Sequence, residues 1–451
     1  MESLDWIKVV KKVLRENKTM VLCTDGEDGT WSVRAYFAED GEFLYLALEP
    51  SRAFKNLQKN PKVSFTVDRG IPDRFIQGEG DVEIIGSFHE HEKERQILGR
   101  KCLEVIAFVR AMGDLQIVRI RPRWLNIWDL QTDWKPRQRI EVTDEVLKTF
   151  QSTLPGMSPR INAYFKAVRH FSFTATTISV VVGALLAPVL DPFLLLLTLA
   201  TGVIVHAGVN VLSDNIDFRK GVDNYLTIGS RVLVDAELGA KEHFRFAVVL
   251  LATGILLGLG LTLLRGPFVL YIGLGGYFLG VFYCGAPIHL KYRALGDLAV
   301  FLGFGPLMTL GSYYVQTQSL SWIPALAAIP VGLLVIGILH GNNMRDVPMD
   351  IKAGSRTIAA ALGPRLSGFY YAFLVGGAYA LVVAFVLSKL LPVFALLVLI
   401  TYPMALRNVD IAFHPARIAY GMLDLLTARL HFSFGLLLCV ALFTSRLRLT
   451  P

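Results

Sequence analysis

Charged side chains are scarce in this chain, 18% of 451 residues, and with a mean hydropathy of +0.47 that scarcity excludes an ordinary soluble protein along its whole length. Cysteine is scarce too. Cys23, Cys102, Cys284 and Cys439 stand apart with neither pair nor metal-ligand spacing, which excludes a disulfide framework and a zinc site and leaves reduced, structural thiols. The first residues, Met1-Glu-Ser-Leu-Asp-Trp6, lack a basic segment followed by an apolar one, so no cleaved signal is expected. The net charge of +8 comes without a basic stripe interleaved with aromatics. Nucleic acid is therefore excluded as a partner, and the Lys and Arg residues, gathered between apolar runs, read as membrane topology charges.

What is present falls into two parts. Residues 1–130 read as a soluble domain: Leu4, Ile7, Val10 and Leu14 recur at helical spacing, and strand-like segments follow at 20–23, 31–37, 43–48, 63–67, 76–85 and 115–128. Val63, Phe65 and Val67 alternate with polar residues, as in a half-buried strand. The segment 43–48 is apolar on both faces and belongs inside a sheet. Helices are expected near 51–58 and 89–108, giving a small antiparallel β-barrel of α+β class with helices packed on it. Residues 131–165, polar and carrying Pro136, Pro155, Gly156 and Pro159, read as a linker with a short helix at 144–151.

The order of these elements, with Ser32-Val-Arg34-Ala-Tyr36, the turn Glu49-Pro-Ser51-Arg52-Ala53 and Gln77-Gly-Glu-Gly80, resembles the pyridoxamine-phosphate-oxidase-like, FMN-binding split barrel. The resemblance implies that Arg34, Ser51 and Arg52 hold a flavin phosphate. Ala53 stands where that family usually has Lys, and a cofactor-free barrel serving folding or docking is the alternative.

From residue 166 to 448 the sequence predicts an all-α polytopic membrane bundle of about nine spans, near 168–190, 192–212, 244–264, 267–284, 297–315, 321–340, 366–388, 392–406 and 431–445. Basic residues crowd the loops after the second, fourth, sixth and eighth runs, whereas the opposite loops carry Arg265 and Lys389. By the positive-inside rule the charged loops and the N-terminal domain are cytoplasmic, which places the protein in the cell's inner (cytoplasmic) membrane.

Two of those loops repeat a pattern. Asn210, Asp214 and Asp217 stand at i, i+4 and i+7, and Asn342, Asp346 and Asp350 at i, i+4 and i+8, so that each set lines one helix face. Basic residues follow both sets. Ionisable groups beside lipid are costly and tend to be functional, and oxygen-rich faces of this kind suit Mg²⁺, which reaches proteins through a few carboxylates plus substrate phosphates. A single cluster of this sort is commonly a solvated turn; a repeated one, with Asn in the same place, is not. His206 and His340 read as packed histidines, and Asp223 and Asp235 as residues that stabilise the loop.

Three stretches, His206-Ala-Gly-Val-Asn210 through Lys220-Gly-Val-Asp223, Gly285-Ala-Pro287-Ile-His-Leu-Lys291-Tyr-Arg293, and Asn342-Asn-Met-Arg345-Asp346 through Arg356-Thr357, resemble the UbiA superfamily of intramembrane aromatic prenyltransferases. The branch most similar is the 1,4-dihydroxy-2-naphthoate polyprenyltransferases of the menaquinone pathway. The resemblance implies Mg²⁺-dependent transfer of a polyprenyl group from an allylic diphosphate to an aromatic acceptor. Asp214, Asp217, Asp346 and Asp350 would then hold metal with Asn210 and Asn342 as supporting ligands, and Lys220, Lys291, Arg293, Arg345, Lys352 and Arg356 would hold diphosphate. Rival readings are another acceptor, such as a hydroxybenzoate, another quinone precursor or haem, and a membrane-anchored flavoprotein whose helices do no chemistry.

Overall fold

The computed structural model describes residues 3–27, 29–68, 74–129, 138–148, 159–352 and 354–447. The chain divides into two compact units, Met1–Met157 and Ser158–Pro451.

In the first unit, α1 (Ser3–Glu16) leads into β1 (Thr19–Thr24), β2 (Trp31–Glu39), β3 (Leu44–Leu48), α2 (Arg52–Lys59), β4 (Lys62–Val67), β5 (Arg74–Ser87), α3 (Glu92–Lys101), α4 (Leu103–Met112), β6 (Gln116–Asp129), β7 (Gln138–Glu141) and α5 (Asp144–Lys148). Neighbours along the sheet run β3-β2-β1-β4-β5-β6-β7, and β3 also pairs with β6, so six antiparallel strands close a barrel and β7 lies outside it. Closure leaves those six strands without a free edge. β3 is buried at every position because strands flank it on both sides, and β4 alternates as its sequence demands. Glycine at position 78 is a packing requirement: a Cβ there would stand 2.2 Å from the Phe65 ring.

Two expectations change here. The helix expected at 89–108 is two helices broken at Cys102, whose Sγ reaches the carbonyls of Lys18 (3.4 Å) and Phe37 (3.3 Å) and pins the chain against the barrel. Within the supposed linker, residues 138–141 form β7, which pairs with β6 because Ile140 has core to cover. Residues 130–137 and 149–158 of that stretch, with the end of its expected helix, lie outside the described residues.

The second unit is helical. It comprises α6 (Pro159–Ala167), α7 (Thr174–Leu185), α8 (Pro192–Arg219), α9 (Ala240–Arg265), α10 (Phe268–Cys284), α11 (Gly296–Leu302), α12 (Met308–Thr317), α13 (Trp322–Ala327), α14 (Ile329–Lys352), α15 (Ile358–Leu387), α16 (Tyr402–Ala412) and α17 (Leu423–Leu447). Among the described residues seven helical segments are long and apolar enough to cross a membrane; the pair α6 and α7, bent by 41°, makes an eighth, and the 17-residue α10 is shorter. The expected nine spans are thus approximate. α11 and α12 are one span, joined through a wide turn at Gly303–Leu307 where Pro306 has no N–H to give the helix.

Helix starts follow local chemistry. Asp191 caps α8, its Oδ1 accepting from the N–H groups of Phe193 (2.8 Å) and Leu194 (3.2 Å), with Pro192 in the first turn. α8 and α14 outrun the apolar stretches expected at 192–212 and 321–340. Their acidic residues are neutralised inside the bundle, so the helices continue through them.

Candidate active site

Asn210, Asp214 and Asp217 lie on successive turns of α8, and Asn342, Asp346 and Asp350 on successive turns of α14. Each carboxylate of the first set has its own cation. Asp214, 3% exposed, pairs with Arg169 at 2.5 Å, and Asp217, equally buried, pairs with Lys291 at 2.7 Å and accepts from the Tyr292 hydroxyl. In the second set Arg345 is the hub: its guanidinium is bidentate on Asp346 (3.0 and 2.8 Å) and also reaches Asn342 Oδ1 (2.6 Å) and Asp424 (2.7 Å). Asp350 is buried and accepts from Thr357 at 3.4 Å.

The loop between the motifs joins them. Lys291 holds Asp217, the Tyr292 carbonyl accepts from the backbone of Arg356 at 3.2 Å, and Arg293 and Arg356 form a parallel bridge. Asp350 lies within electrostatic reach of Lys291, Asp346 and Asp217. The two acidic helix ends therefore share one site. Lys220 sits over the Tyr292 ring at 4.1 Å, while Lys352 is exposed at the end of α14, and Arg293 and Arg356 point outward.

Electrostatics in the loops follow from crowding. Burial, then the charges of Asp214 and Asp217, push the Asp223 carboxyl up to about 8. Lys291 is desolvated, which lowers its pKa, but Asp217 outweighs that and holds it well above the ordinary value, as a fixed cation. Asp235 does stabilise the long loop: it forms a buried ion pair with Arg231, at 2.8 and 3.1 Å. His206 and His340 are packed as expected, the first between Phe173 and Phe304, the second against Tyr370.

A cavity of about 530 Å³ opens from this cluster, with Asn210, Asp217, Lys291, Asn342 and Arg345 at its polar end. Along α8 its lining runs from Asp217 back to Thr198, nineteen positions at 1.5 Å each, a length of about 28 Å. The α8 side carries Thr, Ser and His among its lining residues, whereas the facing walls from α9, α10, α11 and α12 are mostly apolar or glycine. The shape fits a molecule with a charged head and a long hydrocarbon tail.

Among the described residues no three His, Cys, Asp or Glu side chains gather as a metal cluster, and the expected oxygen-rich faces of Asp and Asn meet with bases between their carboxylates. Packed together, those carboxylates would repel; Asp214, Asp217 and Asp346 are instead each paired with a base, and Asp350 accepts from Thr357. The donor set still suits Mg²⁺, which needs only one or two carboxylates beside phosphate oxygens, and Asp217 with the Asn210 and Asn342 amides lines the polar end of one cavity. Asp214, Asp217, Asp346 and Asp350, with the amide oxygens of Asn210 and Asn342, are the residues that would hold it.

The sequence reading overlooked Arg169, Asn343 and Asp424. Asp424 carried a usable signal, an acid within the last apolar span, but that run was expected to start at 431 whereas α17 begins at Leu423. Arg169 lies before a span, and only the fold brings it to Asp214.

In the N-terminal unit, Arg34 is exposed on β2 and Arg52 packs over the Trp31 ring at 4.9 Å. Trp31 and Arg34 have opposite parity on that strand, so they project from opposite faces. Ser51 precedes α2 and its hydroxyl makes no cap hydrogen bond.

A helical bundle with a paired acid-and-base end over a long apolar cavity defines an intramembrane enzyme for amphiphilic diphosphates. Comparison with known proteins agrees. Residues 176–413 match the profile of the UbiA prenyltransferase family, and residues 7–129 that of pyridoxamine 5'-phosphate oxidase. The chain is 35% identical over 298 residues to UbiA prenyltransferase domain-containing protein 1 of Mus musculus, covering 63% of this chain and 86% of that one. The Drosophila melanogaster homologue is 33% identical over 296 residues, covering 63% and 80%. A solved UbiA homologue from Aeropyrum pernix K1 aligns with a TM-score of 0.48 and 17% identity, over 62% of this chain and 98% of that one. This chain belongs to the UbiA prenyltransferase family and carries an N-terminal oxidase-type split barrel; it is a multi-pass membrane prenyltransferase.

Proposed function

We propose that the enzyme transfers a polyprenyl group from an allylic diphosphate to an aromatic acceptor, 1,4-dihydroxy-2-naphthoate, on the route to menaquinone. The observation that carries this reading is one cavity, about 28 Å long along α8, with acids, amides and fixed cations at one end and mostly apolar or glycine residues lining the rest. In the reaction the allylic carbon–oxygen bond breaks and its electron pair leaves with the diphosphate. Lys291, Arg345 and Arg169 stabilise that charge at the polar end. Asp214, Asp217, Asp346 and Asp350, with Asn210 and Asn342, would hold Mg²⁺, which when bound would add to the neutralisation of the leaving group. The electron-rich ring attacks the allylic carbon, and for a naphthoate acceptor the carboxyl group leaves as CO₂. Lys220, Arg293, Lys352 and Arg356, more exposed, act in capturing the diphosphate at the site's rim.

The site faces the cytoplasm, with the barrel on the same side of the membrane, in keeping with the basic loops. A topology reporter fused after Asp223 is expected to report cytoplasm, and a signal from the opposite compartment overturns that orientation.

Membranes containing Asp214→Asn or Asp346→Asn protein test the chemistry. Prenyl transfer is expected to fall about 10²-fold or more while membrane insertion is unchanged. Wild-type activity in both variants would sink the assignment. A panel of aromatic acceptors with product masses then identifies the acceptor, and failure with naphthoate alongside success with another ring retires the menaquinone assignment alone.

A further inference from the structure

Asn210 owes its orientation to a hydroxyl outside both acidic motifs. Its side-chain nitrogen donates to the Val168 carbonyl and to Ser172 Oγ, both at 3.0 Å. A carbonyl only accepts, so Val168 decides which end of the amide is nitrogen. Both N–H groups are then committed, and Oδ1 is left for the cavity that Asn210 lines.

Ser172 can be accounted for completely. Its one O–H donates to the Arg169 carbonyl at 2.8 Å, so toward Asn210 and toward His206 Nε2, at 3.3 Å, it accepts. His206 therefore carries its proton on Nε2, and its Nδ1 accepts from the Thr176 hydroxyl at 2.8 Å. Donation from Thr176 through His206 and donation from Asn210 thus converge on Ser172 Oγ, whose own proton goes to the Arg169 carbonyl.

The same hydroxyl secures the turn at Arg169. Arg169 is a non-glycine residue in the left-handed region, φ 53°, at the bend between α6 and α7, and its carbonyl accepts from both the N–H and the O–H of Ser172. A side chain seldom adopts that backbone unless its surroundings over-determine it. Here the turn directs the guanidinium onto Asp214.

We propose that Ser172, backed by His206, is the positioning residue of the diphosphate site, presenting Asn210 Oδ1 as a neutral oxygen ligand and setting Arg169 against Asp214. The proposal rests on the reading of Asn210 as a ligand. Loss of the hydroxyl leaves the N–H of buried His206 and one N–H of half-buried Asn210 without their partner, and either group can then turn away.

The experiment uses full-length protein purified in detergent and titrated calorimetrically with inorganic pyrophosphate in the presence of Mg²⁺. Wild type is expected to bind, and Ser172→Ala to bind about tenfold more weakly, while Ser172→Thr, which keeps the hydroxyl, stays within about twofold. In an Asn210→Ala background the further loss from Ser172→Ala is expected to shrink, because the two act through one contact. In turnover, the KM for the prenyl diphosphate rises in Ser172→Ala and that for the aromatic acceptor does not. If Ser172→Ala does not fold, Thr176→Val, which removes only the partner of His206 Nδ1, replaces it, with a smaller loss in the same direction expected. Equal pyrophosphate binding by wild type and the variant overturns the proposal, as does full additivity with Asn210→Ala. No binding by wild type instead overturns the reading of the site itself.

Discussion

Asp223 is the residue whose titration is most exposed to test. Its folded carboxyl holds a proton up to about 8, against an ordinary value of 3.8, so between those values the native state binds more protons than the unfolded chain. Stability from this group is full below the ordinary value and is lost as pH rises through 8. In chelator-treated protein the melting midpoint is therefore expected to decline over that window, and Asp223→Asn to flatten the decline; an unchanged slope in the variant rejects the assignment. Cys102 makes a second case. Burial pushes its thiol up to about 12, so in the native protein iodoacetamide near neutrality is expected to leave it unmodified, while half-buried Cys23 reacts first. Peptide masses after labelling decide, and early modification of Cys102 contradicts the packed barrel described above.

At the scale of elements, close helix contact is what brings the two acidic motifs together, and glycine permits it. A Cβ at Gly183 would lie 2.2 Å from the Thr309 carbonyl oxygen, so Gly183→Ala forces α7 away from α12 and is expected to cost about 1–3 kcal/mol, read as a lower melting midpoint. Gly273 meets nothing within 4 Å, and Gly273→Ala is the matched control expected to melt like wild type. Equal midpoints for the two variants would contradict the packing. The paired acids and bases carry a consequence of their own. Metal alone must displace Arg169, Lys291 or Arg345, and pyrophosphate alone must displace a carboxylate, so each is expected to bind weakly and the two together tightly. Calorimetry with each ligand and with both tests this; independent binding would show that the ion pairs do not govern the site.

For the whole molecule, the open matter is the work of the barrel. Full-length protein that is colourless and takes up no added FMN would end the flavin reading of Arg34, Ser51 and Arg52; Arg34 and Trp31 project from opposite faces of β2, which already sets Arg34 apart from the Arg52 and Trp31 pair. Much of the architecture was legible beforehand, since strand alternation around Phe65, apolar runs of span length and repeated Asn-x-x-x-Asp patterns are local facts that one stretch of chain carries by itself. What the chain alone determined was therefore the two-part plan, the membrane location of the second part and the residue types of the site. Only tertiary structure decided that Arg169 meets Asp214, that Lys291 meets Asp217, that Asp424 reaches Arg345 and that Ser172 orients Asn210. Those partners lie 38 to 79 positions apart, and no helical or strand period relates them. Their meeting depends on which helices pack together, and charge pairing in a low-dielectric bundle then selects among the contacts that packing allows.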